Sequence, residues 1–103
     1  MKNFEFNGKI YGIFINYYVG CEIFFKCNYK NGILEGVFIA YYENGNIYIK
    51  CLYKNDKREG GYIKYYKSDK ICFKCYYKNG KLYGVNIKYY FGTIWKKCYY
   101  KNL

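Results

Sequence analysis

The sequence predicts an all-β fold, an antiparallel meander of about eight strands built from four β-hairpin repeats in a single twisted or curled sheet. Three observations carry this. A unit recurs every 24 residues, starting at Gly8, Gly32, Asp56 and Gly80 and losing one residue in its last copy. Each copy holds two short segments rich in aromatic and β-branched residues, the composition that suits a pleated, half-buried strand. Turn residues punctuate both ends of every segment.

Taken in order, the chain divides as follows. Residues 1–7 supply a short capping strand, and four blocks follow at 8–31, 32–55, 56–79 and 80–102, together forming one domain over 1–103. With the first residue of a block as position 1, positions 6–11 form the first strand and positions 16–22 the second, as in Val37–Tyr42 and Ile47–Tyr53. Between blocks stand Asn7-Gly8, Asn31-Gly32, Asn55-Asp56 and Asn79-Gly80. Such pairs tolerate positive φ at both central residues and close tight hairpins. Within blocks, Val19–Glu22, Glu43–Asn46, Lys67–Lys70 and Phe91–Thr93 make the second turn. A repeat this short buries no core alone, so neighbours must stack into an array with one extended surface.

Side chains alternate between faces along a strand. Simple alternation assigns positions 6, 8, 10, 16, 18, 20 and 22 to one apolar side. It holds the columns Ile15/Ile39/Ile63/Ile87, Tyr17/Tyr41/Tyr65/Tyr89, Ile23/Ile47/Ile71/Ile94 and Cys27/Cys51/Cys75/Cys98, with Lys96 as a misfit in the last strand. The opposite side then combines Lys26, Lys50, Lys74 and Lys97 with Lys30, Lys54, Lys78 and Lys101, interleaved with Phe24, Tyr48, Tyr76, Trp95 and Tyr99. Lys64 and Lys88 are expected to add charge there, so blocks three and four concentrate cations and rings. The expected partner-binding residues are Lys64, Lys74, Tyr76, Lys78, Lys88, Trp95, Lys97, Tyr99 and Lys101.

The pattern of a turn glycine, an apolar residue, a second glycine and a strand ending in Tyr-Tyr, as in NGKLYGVNIKYY (79–90) and NGILEGVFIAYYENG (31–45), resembles the MORN repeat in its bacterial variant. The resemblance spans the chain from Gly8 onward. It implies a twisted hairpin array and a binding or scaffolding role, and many bacterial relatives carry the label of antitoxin component. Tyr, Asn or Lys stand here where eukaryotic members often have Trp, which weakens the lipid-binding role proposed for some of those.

Composition narrows the chemistry. Lys+Arg number 18 against 7 Asp+Glu, a net charge of +11, which draws the chain toward nucleic acid, anionic lipid or an acidic protein. Lys, Asn, Ile, Tyr and Phe also share A/T-rich codons, so a biased genome would enrich lysine without selection for charge. No histidine is present and Ser68 is the only serine, so acid–base and nucleophilic catalysis find no constellation. Glu35 and Glu59 share position 4, but a small single-layer sheet offers no deep cleft for a pair of catalytic carboxylates. Enzyme activity and a cofactor are not expected.

The six cysteines point to thiols rather than staples. Equivalent residues of neighbouring blocks are two strand spacings apart, roughly 9–10 Å, beyond the reach of a disulfide. Cys72 and Cys75 match CxxC, yet no second pair or histidine completes a zinc site. Reduced thiols, an N-terminus without a secretory h-region, and an apolar run Tyr11–Phe25 broken by Asn16, Gly20 and Glu22 lead to the expectation of a cytoplasmic chain with no transmembrane segment.

These readings converge on a stoichiometric binding protein that neutralises a protein partner, in the manner of an antitoxin, immunity factor or mobile-element inhibitor. The expected partner is an acidic protein or a ribonucleoprotein. Single-stranded RNA or DNA is the alternative ligand, for instance within a bacterial defence complex of CRISPR type, because lysine beside rings suits phosphate and base together. An anionic-membrane adaptor is a third reading. The apolar face and the terminal strand edge also invite a homodimer.

Overall fold

The computed structural model describes residues 4–6 and 9–100, with side chains from 11 to 100. The turn Asn7-Gly8 and Lys101 lie outside the described residues. All described elements are strands: β1 Phe4–Phe6, β2 Lys9–Tyr17, β3 Ile23–Lys30, β4 Ile33–Leu34, β5 Gly36–Tyr41, β6 Ile47–Lys54, β7 Lys57–Tyr65, β8 Ile71–Lys78, β9 Lys81–Tyr90 and β10 Thr93–Tyr100. They follow one another in a single antiparallel meander, in which β4 and β5 are two pieces of one strand path interrupted at Glu35. The sheet does not close into a barrel. Apart from the N-terminal β1, each 24-residue block supplies two adjacent strands, as the repeat requires.

Turn chemistry sets the hairpins. Asn31 and Gly32 have φ of 57° and 78°, Asn55 and Asp56 of 53° and 66°, and Asn79 and Gly80 of 52° and 81°. Positive φ at both central residues matches the right-handed twist of the flanking strands. The turn within a block is longer. Tyr18 N–H donates to Glu22 C=O (2.7 Å) and Cys21 N–H to Tyr18 C=O (3.0 Å), and the same pair of bonds recurs at Tyr42/Asn46 with Gly45 and at Tyr66/Lys70 with Asp69. In block four the missing residue shortens this turn to Phe91-Gly92, so that Tyr90 pairs directly with Thr93.

One kind of bulge recurs in every block and a second in blocks three and four. The first lies just after the inner turn: Tyr17 pairs with Ile23 but Asn16 with Phe25, so Phe24 is extra. Tyr48, Cys72 and Trp95 occupy the same place. One extra residue reverses the facing of everything beyond it. The second bulge surrounds Gly60 and Gly84, whose φ of 83° and 75° only glycine adopts cheaply; there Cys51 and Tyr53 pair with Tyr62 and Arg58, and Lys74 and Tyr76 with Ile87 and Tyr83.

The first bulge overturns the expected division of faces. Register pairs Phe14 with Cys27, Phe38 with Cys51, Tyr62 with Cys75 and Asn86 with Cys98, so the cysteine column faces position 7 and not the isoleucines of position 8. Ile15, Ile39, Ile63 and Ile87 instead pair with Lys26, Lys50, Lys74 and Lys97. The two sides are therefore a cysteine face lined by rings and a lysine face lined by isoleucine and tyrosine.

The molecule is one layer, with extents of 46 × 40 × 13 Å. Its buried residues are Cys27, Ala40, Cys51, Tyr62 and Cys75, all on the cysteine face. Around them Phe25 stacks on Phe38 (ring centroids 5.5 Å) and Tyr62 on Phe73 (5.7 Å), while Tyr53 and Tyr77 meet Phe38 and Tyr62 edge-on. Offset and edge-on geometries are the favourable ones for ring quadrupoles. The rings thus run as a stripe across the sheet where a two-layer protein would have a second layer.

Latches between blocks tie the layer together. The hydroxyl of Tyr18 donates to Tyr41 C=O (2.7 Å), that of Tyr42 to Tyr65 C=O (2.6 Å) and that of Tyr66 to Tyr89 C=O (2.8 Å). At the opposite ends of the strands, Glu35 and Glu59 accept from the turn amides of Asn55 (3.2 Å) and Asn79 (2.9 Å). These two carboxylates are turn acceptors, which gives their shared position a structural reason.

Candidate partner-binding surface

Exposure rises toward the C-terminal end. In blocks one to three the cysteine of position 20 is buried, whereas in β10 seven of eight residues are exposed and only Cys98 is half-buried. The reason is topological. β10 has β9 on one side and no strand on the other among the described residues. Among the described residues, six of the fourteen large apolar or aromatic side chains standing exposed lie within residues 90–100: Tyr90, Phe91, Ile94, Trp95, Tyr99 and Tyr100. Such a concentration, with lysines among it, makes this end of the sheet the candidate surface.

The expected site residues separate between the two faces. Lys74, Tyr76, Lys78, Lys97 and Tyr99 alternate together on the lysine face, where Tyr76 is 54% and Tyr99 68% exposed. Tyr76 and Tyr99 hold equivalent positions in β8 and β10, two strand spacings or about 10 Å apart. Lys64 and Lys88 do not join them. Lys64 pairs opposite Ile49 and Phe73, and Lys88 opposite Phe73, which places both on the cysteine face. Trp95 also moves, because it occupies the first bulge. Its counterparts Phe24 and Tyr48 lie tilted against Tyr18 and Tyr42 at 4.7 and 4.8 Å, Lys64 Nζ lies 5.4 Å from the Tyr48 ring centroid, and Cys72 lies against the Tyr66 hydroxyl. Its place in the repeat accordingly assigns Trp95, 69% exposed, to the cysteine face, while the Tyr90 ring meets Phe91 at 4.4 Å.

Many of the lysines already have rings. Lys26 Nζ sits 5.8 Å from the Tyr41 centroid, Lys74 6.0 Å from Tyr89 and Lys78 5.3 Å from Tyr83. Cation–π contacts of this kind hold the ammonium over a neighbouring block. Lys97 is the last described member of the position-19 column, and among the described residues no tyrosine ring meets it from beyond β10. On the cysteine face, Lys96 replaces the Phe25, Ile49 and Phe73 of earlier blocks and pairs directly with Lys88. Like charges directly opposite in a sheet repel. Near the same end Tyr66, Lys67, Ser68, Lys70, Tyr90 and Phe91 line a hollow of about 370 Å³.

Arg58, the only arginine, was not among the expected site residues. Its Cζ lies 4.8 Å from the Tyr62 ring centroid and 5.3 Å from that of Tyr77, and its Nη1 donates to Tyr77 Oη (3.1 Å). Desolvation works against its charge, but hydrogen bonds to Tyr53 and Tyr77 outweigh that and raise the guanidinium pKa. This is a packed cation inside the ring stripe. Its departure from Leu34 and Leu82 at the same position is the sequence signal that marks it.

The six thiols are free. Burial raises the pKa of Cys27 and Cys75, and pushes Cys51 up to about 11 against a smaller opposing pull from Arg58. Buried, protonated thiols are poor nucleophiles and metal ligands. Among the described residues no three His, Cys, Asp or Glu side chains gather around a common point, and no helix is long and apolar enough to cross a membrane. No protein-family model matches the chain, and the comparisons with curated proteins and with solved structures yield no match.

Proposed function

We propose that this chain is a non-enzymatic binding protein that engages a protein partner stoichiometrically through the C-terminal end of its sheet, in the manner of an antitoxin, immunity factor or inhibitor. The observation that carries the reading is the exposure of the last hairpin on both sides of the sheet, with Trp95 beside Lys88 and Lys96 in register on the cysteine face and Tyr99 with Lys97 on the lysine face, and Tyr90 and Phe91 at the turn. Large rings supply contact area at low entropic cost, and the surrounding charge steers an acidic partner. Repeats of the MORN type, which the sequence resembles, fit such a role.

Affinity capture from extract of the host cell, with and without nuclease, tests it. A partner retained at fixed stoichiometry after nuclease and lost from the Trp95→Ala/Tyr99→Ala variant supports the reading. If nothing is enriched, or the variant retains the partner equally, the reading is wrong. A second reading, single-stranded nucleic acid, draws on the row formed by Tyr76, Tyr99, Lys74 and Lys97. It requires capture that nuclease abolishes and that falls steeply as salt rises.

A further inference from the structure

The repeat states what each second strand of a block receives along its outer edge. Position 19 faces an isoleucine, as Lys26 faces Ile39 and Lys74 faces Ile87. Position 18 faces position 9 of the next block, as Phe73 faces Lys88. Position 10 of that block then does two things. Its ring takes the position-19 ammonium at two of the three junctions, Tyr41 from Lys26 at 5.8 Å and Tyr89 from Lys74 at 6.0 Å, and its carbonyl accepts the position-11 hydroxyl, as Tyr89 accepts from Tyr66 at 2.8 Å.

At the last hairpin the counterparts are Tyr90, whose ring meets Phe91 at 4.4 Å, and Lys97, and among the described residues neither has a partner across the outer edge of β10. Tyr90 is 59% exposed and its hydroxyl has no acceptor among the described residues. Lys97 has Ile87 on its inner side, but among the described residues its outer edge meets neither the second isoleucine nor the ring that Lys74 has. One fitting differs: position 18 is Lys96, directly opposite Lys88. A strand entering here meets two ammonium groups on the cysteine face where internal strands meet an apolar side chain. Charge complementarity therefore asks for a carboxylate at that point.

We propose that the open edge of β10 is a strand-addition site for an acidic extended segment of a partner protein, paired antiparallel to β10 in the register of the repeat. The segment carries an aliphatic residue opposite Lys97, then Asp or Glu opposite Lys96, then an aromatic residue whose carbonyl accepts from Tyr90 and whose ring receives Lys97. Main-chain bonds give affinity in this mode of recognition and alternate side chains give specificity. A second copy of the chain fits less well. Its first block offers Asn16, not an acid, at the position facing Lys96, β1 already pairs with β2 over Lys9–Tyr11, and every copy carries +11.

This inference rests on the protein-binding reading and narrows it. The test is fluorescence anisotropy of the full chain with labelled peptides copying residues 84–90, one carrying Lys88→Glu and one unchanged. The Lys88→Glu peptide should bind about 10-fold or more tightly than the unchanged one, consistent with an added carboxylate between two ammonium groups. Its binding should weaken about 5-fold against the Tyr90→Phe protein, the loss of one hydrogen bond. Lys96→Glu in the protein should reverse the preference between peptides, and Ile87→Pro in the peptide should abolish binding. Equal binding of the two peptides, no binding of either, or indifference to the proline overturns the proposal. So does self-association of the chain in sedimentation that strengthens with salt and occupies the same edge. If the peptides fail while Trp95→Ala/Tyr99→Ala still abolishes partner capture, the strand-addition site falls and the binding surface stands.

Discussion

Cys21 and Cys51 show how much one side chain's surroundings decide. Cys21 is exposed in the inner turn of block one, held at φ 78°, while Cys51 lies under the ring stripe at 4% exposure. Alkylation followed by mass spectrometry should modify Cys21 first, with Cys27, Cys51 and Cys75 protected until the sheet opens. Uniform labelling of all six would contradict the placement of the cysteine column. The same burial has a pH consequence. Cys51 rises from its ordinary value of 9.0 to about 11, and burial pushes Tyr62 up to about 12. The folded groups keep their protons after the unfolded ones have lost theirs, so the stability they contribute is intact below pH 9 and is lost as pH rises through about 11. Denaturant midpoints measured from pH 8 to 11 should fall over the upper part of that range; a flat profile would mean these groups are open to water.

A hairpin block is the element in which the sequence is most and least legible. Asn31-Gly32 and Asn79-Gly80 announce their turns because few other pairs take positive φ twice, and the alternating strands between them follow directly. The bulge at Phe24, Tyr48, Cys72 and Trp95 leaves no such mark. A period of two carried straight through it puts the lysines opposite the isoleucines' true side, which is why Lys64, Lys88 and Trp95 appear with Lys74 and Tyr99 in the sequence but not in the fold. The tyrosine latches were equally hidden, since they join residues 23 apart across a block boundary. Block four breaks the element's own rule at Asn86, where Phe14, Phe38 and Tyr62 stand in the other blocks and where the buried Oδ1 has no hydrogen-bond partner in the described residues. Asn86→Phe should raise unfolding stability by about 1 kcal/mol, by removing a buried unpaired acceptor and extending the ring stripe. Tyr42→Phe should cost about 1 kcal/mol by breaking a latch. Equilibrium urea unfolding checks both, and an Asn86→Phe variant less stable than the parent would show that block four is not packed like its neighbours.

As a whole molecule the array is 13 Å thick and has two unlike ends. β1 covers part of the N-terminal edge, while β10 ends the meander with its backbone unpaired among the described residues and its rings in solvent. A single layer with a net charge of +11 holds itself together through local hairpins and nearest-neighbour latches, so stability should be distributed and the last block should open most easily. On this expectation the C-terminal hairpin should be the part with most to gain from a partner. Amide hydrogen exchange of the chain, free and in complex with its captured partner, measures this most directly. Slowed exchange concentrated in Thr93–Tyr100, with little change in β2 and β3, is the predicted result. Protection confined to the N-terminal blocks, or none in β10, would contradict the assignment of this end as the binding surface.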